Sequence, residues 1–71
     1  MPLLISEVAY SMLAAYSADI GVRIADGEQL QDGRWVLKVE WVVWRRLLKI
    51  HPDPSQAIIQ ACESAAARGR S

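Results

Sequence analysis

Arg34-Trp35-Val36-Leu37-Lys38-Val39-Glu40-Trp41-Val42-Val43-Trp44-Arg45-Arg46-Leu47-Leu48-Lys49-Ile50 holds all three tryptophans of this 71-residue chain and five of its eight Lys and Arg residues. Two periods fit its first half. Trp35, Leu37, Val39, Trp41 and Val43 alternate with Val36, Lys38, Glu40 and Val42, as a strand requires. As a helix capped by Asp32, turning ~100° per residue, the same segment would gather Arg34, Lys38, Arg45 and Lys49 into one stripe. The neighbouring sequence arbitrates. Asp26-Gly27 and Asp32-Gly33 offer the positive backbone angles of tight turns, and Ile20, Val22 and Ile24 alternate ahead of them. A hairpin explains both features, with Glu28-Gln29-Leu30-Gln31 as a loop or a stub of edge strand. We therefore expect a strand to about residue 41 and then a helix to Ile50. That reading sets Trp35 and Trp41 on one face and makes Trp44 the most exposed member of the group.

Outward from this segment the chain reads as helical. Residues 4–18 put Ile5, Val8, Ala9, Met12, Leu13 and Tyr16 on one face, with Ser6 as N-cap and Asp19 and Gly21 as the stop. His51-Pro52-Asp53-Pro54 ends one element and starts another, since Asp53 suits an N-cap and Pro54 the first helical position. Ile58, Ile59, Cys62, Ala65 and Ala66 form the buried stripe of the last helix. Gly69 stops it after Arg68, and residues 69–71 are expected to fray. The fold class expected is α+β in a single domain over 1–71: N-terminal helix, β-hairpin, short helix, C-terminal helix. An all-α three-helix arrangement is the alternative.

Composition narrows the function. One cysteine and one histidine allow neither an internal disulfide nor a four-ligand zinc site. Hydrophobic residues make up 52% of the chain, more apolar surface than so short a domain is expected to hide, so self-association is predicted, a dimer being favoured. Residues 1–33 carry five carboxylates against Arg23, a formal −4, and residues 34–71 carry seven cations against three carboxylates, a formal +4. Ordinary solvated faces account for this polarity, and pairing of the two halves within or between chains is the alternative. Abundant Ala, more Arg than Lys, and no Asn, Thr or Phe suggest a high-GC bacterium or its phage. The start lacks the basic region of a signal peptide, and no run is long enough to span a membrane, so a cytoplasmic location is expected.

No catalytic motif accompanies these features. His51 at a segment end reads as a cap, and Cys62 among small residues reads as an inert buried thiol. The acidic run from Asp26 to Asp32 lacks the ligand spacing of a calcium loop. No enzyme activity, cofactor or metal is expected. Tryptophan and arginine are frequent interface anchors, so Trp41, Trp44, Arg45, Arg46 and Lys49 are the candidate partner-binding residues. The function expected is a protein-binding module, an adaptor or inhibitor covering a surface of a larger bacterial protein, of phage or mobile-element origin. The alternative is a small nucleic-acid-binding regulator using the basic 34–49 segment; the absence of net charge weighs against that and against a membrane partner.

Overall fold

The computed structural model describes residues 2–69. The order is β1 (Pro2–Ile5), α1 (Glu7–Ile20), β2 (Glu28–Gln29), β3 (Trp35–Lys38), α2 (Trp41–Ile50) and α3 (Pro54–Arg68). The strands form one antiparallel sheet in the order β1-β3-β2. The domain is α+β, and the sheet rules out the all-helical arrangement.

β1 alternates, with Leu3 and Ile5 buried and Pro2 and Leu4 exposed. Its register on β3 pairs Leu3 with Leu37 and Ile5 with Trp35 on the inward side, leaving Leu4 opposite Val36 on the outward side. α3 packs on β1 and against both other helices. Ala9 and Leu13 of α1 and Ala57, Ile58 and Cys62 of α3 are fully buried. The small residues among them let the two helices approach closely, and burying a side chain such as Ile58 contributes about 1.5–3 kcal/mol. α2 joins this core less completely: Leu47 is its one buried residue, with Val43 and Trp44 packed partway in.

Local chemistry sets the element ends. Ser6 Oγ accepts from the Ala9 N–H at 3.2 Å, capping α1 as expected. Asp53 caps α3 by accepting from the Ser55 N–H at 3.0 Å, with Pro54 at the first helical position. Gly21 ends α1 in the left-handed region (φ 69°), and its N–H and that of Val22 both reach the Ser17 carbonyl.

Four expectations are corrected. The N-terminal helix begins after Ser6, because residues 2–5 are claimed as a strand by β3, whose hydrogen-bonding edge lies 30 to 36 positions away in sequence. Residues 20–25 form no strand: Ile20 closes α1, and the left-handed Gly21 redirects the chain. Val22 is buried all the same. The hairpin is instead β2–β3, the stub of edge strand being real, and of the two Asp-Gly pairs only Gly33 has positive φ (92°). Gly27 closes a turn by donating to the Ile24 carbonyl at 3.0 Å. A Cβ there would stand 2.9 Å from Leu37 Cδ2, so what the position demands is close approach.

Third, β3 ends at Lys38. Glu40 is the extended N-cap of α2, so Trp41 is helical and does not share a face with Trp35. Fourth, Trp41 is the exposed indole and Trp44 is half-buried, the reverse of the expected order. In α3, Cys62, Ile58 and Ala65 are buried as expected, while Ile59 and Ala66 are half-buried and Ala57 joins the core unforeseen. Gly69 caps α3, and the rest of the expected frayed tail, Arg70 and Ser71, lies outside the described residues.

Candidate interaction surface

The tryptophans divide into an inner and an outer site. Trp35 stacks on Tyr10 of α1, with ring centroids 3.7 Å apart and planes 3° from parallel, and so joins the sheet to the helical layer. Trp41 and Trp44 stack on each other at 5.1 Å and 20°. They stand three residues apart on α2, the spacing that places two side chains on one helix face.

Leu48 continues this face by one more turn and is exposed. Trp41 is 54% and Val42 66% accessible, so large apolar side chains face water on a helix that buries only Leu47. Sequence reasoning missed Leu48 and Val42. Their spacing from Trp41 is readable, but only with the helix start placed at residue 41.

The five cations of residues 34–49 have different surroundings. Arg34 is engaged by Asp32, its Nη2 lying 2.6 Å from Oδ2 and its Nε donating to the same oxygen at 2.7 Å. Those hydrogen bonds hold the Asp32 carboxyl below its ordinary pKa. Arg46 crosses to α1, where its Nη2 donates to the Ile20 carbonyl at the end of that helix. A guanidinium there satisfies an orphan carbonyl and meets the negative end of the helix dipole. Lys38 is exposed on β3. Arg45 and Lys49, four residues apart on α2, are exposed and have no ion-pair or hydrogen-bond partner among the described residues. Both follow Trp41 around the helix, so cations border the apolar strip. Val42, Val43, Arg45, Arg46 and Lys49 line a shallow groove of about 420 Å³ on that flank.

The other candidates for chemistry are occupied structurally. His51 Nδ1 accepts from the Asp53 N–H at 2.9 Å, and the His51 N–H donates to the Leu47 carbonyl, binding the end of α2 to the start of α3. Cys62 is fully buried, and burial pushes its thiol pKa up, away from the reactive thiolate. Among the described residues no three His, Cys, Asp or Glu side chains gather as metal ligands would. No helix among them is long and apolar enough to cross a membrane.

No family model, curated protein or solved structure matches this chain.

Proposed function

We propose that this chain is a non-enzymatic protein-binding module whose contact surface is the outward face of α2. The observation that supports this most directly is Trp41, more than half exposed and stacked on Trp44, beside two unpaired cations. A large apolar side chain already stacked on a neighbour loses less entropy on binding and gains the transfer energy of its exposed part when covered, which is why tryptophan anchors interfaces. In this reading the domain works by occupying a surface of a larger protein, as an adaptor or an inhibitor.

Nucleic-acid binding has less support. Attraction to a polyanion scales with the number of phosphates neutralised, and two of the five cations of the 34–49 segment are already engaged, Arg34 with Asp32 and Arg46 with Ile20.

The test compares proteins retained from bacterial lysate by the wild-type chain and by Trp41→Ser. Trp41 is mostly solvent-facing, so the substitution should leave the fold intact, as circular dichroism would verify. A specific partner held by the wild type and lost by the folded variant supports the proposal. Identical retention by both chains excludes α2 as the contact surface.

A further inference from the structure

Building on the contact role of α2, we propose that its occupant is an acidic amphipathic helix of a partner protein rather than a second copy of this chain.

Charge argues first. Arg45 and Lys49 lie one helical turn apart, a rise of about 6 Å, and both border the strip made by Trp41, Trp44 and Leu48 on the same side. No acidic residue lies within α2. A complementary helix therefore offers apolar side chains at positions i, i+3 and i+7, with carboxylates one turn apart along one border.

Symmetry argues against self-pairing through this strip. An antiparallel two-fold pairing of α2 with its copy brings the same border of both helices to the same side. Arg45 and Lys49 of each copy would then share one side, where the exposed N-cap Glu40 could meet Lys49 of the copy but leaves the two Arg45 side chains facing each other without a carboxylate. Like-charge juxtaposition of this kind disfavours a partner strongly.

Size points the same way. α2 has ten residues and is about 15 Å long. One face of so short a helix falls well below the ~800 Å² per partner typical of stable contacts between globular domains. A single docked helix suits such a strip.

The probes are two labelled synthetic helices, sixteen residues long, with leucines at the spacing above. One has Glu at the bordering positions and the other Lys. A labelled single-stranded oligonucleotide of thymidines is the third. Each is titrated with the full chain in low salt, about 50 mM, where exposed charges are weakly screened, and read by fluorescence anisotropy. We expect the Glu helix to bind at least about tenfold more tightly than the Lys helix, a difference of ~1.4 kcal/mol. Arg45→Glu with Lys49→Glu reverses that order, and Trp41→Ser weakens the Glu helix. Equal binding of both helices, or tighter binding of the Lys helix by the wild type, overturns the acidic assignment while leaving α2 a contact surface. No binding of either helix overturns the proposal, and the lysate comparison then decides separately whether α2 contacts proteins at all. Oligonucleotide binding tighter than the Glu helix, lost in the doubly acidic variant, overturns it in favour of nucleic acid. A dimer by light scattering that Trp41→Ser dissociates overturns it in favour of self-association.

Discussion

Ser55 Oγ accepts a hydrogen bond from the Ser6 backbone N–H at 2.8 Å, joining the starts of α1 and α3 across 49 positions of sequence. Ser6 is itself the N-cap of α1, and Ser55 lies in the first turn of α3, next to its Asp53 cap. One hydroxyl therefore connects two capping structures, at the point where β1 passes into α1.

Replacing Ser55 with Ala leaves the partly buried Ser6 N–H without this partner. We expect a loss of about 1–2 kcal/mol, only slightly offset by the better helix propensity of alanine. Urea unfolding should show a lower midpoint with an unchanged slope. A midpoint equal to that of the wild type would mean that water replaces Ser55 without cost.

Adjacent arginines on α2 should respond differently. Arg46→Ala removes the donor that binds the Ile20 carbonyl and exposes the end of α1, with an expected cost of about 1–2 kcal/mol, the lower part of the range for charged hydrogen bonds because the guanidinium is partly solvated. Arg45→Ala, with no such partner, should change stability by less than about 0.5 kcal/mol. Thermal or urea denaturation of the two variants gives the comparison. Equal effects would dismiss the capping role of Arg46.

Cys62 has no exposed surface and small or apolar surroundings. Cys62→Ser should cost about 1–3 kcal/mol, because a hydroxyl is more costly to desolvate than a thiol and fills less of the apolar site, even where it turns back on the Ile58 carbonyl. In the native wild type, an aromatic disulfide reagent should label the thiol only as fast as the domain opens. Immediate stoichiometric labelling would contradict the burial of Cys62.

Asp32 supplies a pH-dependent contact. Its carboxyl is held below the ordinary 3.8 chiefly by the Arg34 side-chain hydrogen bond. A depressed folded value favours folding above the unfolded pKa, and that contribution is lost as pH falls through the lower folded value. The site is fully exposed, so its signature is local. Carboxyl-carbon NMR should give Asp32 a midpoint below 3.8, and Arg34→Ala should move it upward. A midpoint insensitive to that substitution would show that the pair does not form in solution.

Short-range chemistry was readable from the residues alone. Ser6, Asp53, Pro54 and Gly21 act within a turn of where they sit, so their identity announces a helix end whatever surrounds it. Cys62 and Ile58 were likewise legible as core, because helical spacing puts them on the stripe that must be buried. The β2–β3 turn was legible in Asp32-Gly33 for the same local reason. The candidate site was half visible: Trp41, Trp44, Arg45 and Lys49 could be named, but not their separate surroundings.

Pairing lay beyond that reach. Leu3 and Ile5 look like the approach to a helix until β3 offers an edge, because four residues carry too little pattern to distinguish a strand from a capped entry. Residues 20–25 alternate like a strand, but both edges of β3 are taken, by β1 and by β2, a pairing that only the folded chain decides. Trp41 and Trp44 exchange roles for the same reason: an end of β3 at Lys38 shifts the start of α2 and rotates its faces. Arg46 is indistinguishable from Arg45 as a letter, and only the arrival of the α1 terminus within its reach separates them. Caps and turns obey their immediate neighbours, whereas sheet order, exposure and the company each charge keeps depend on residues brought together from dozens of positions apart.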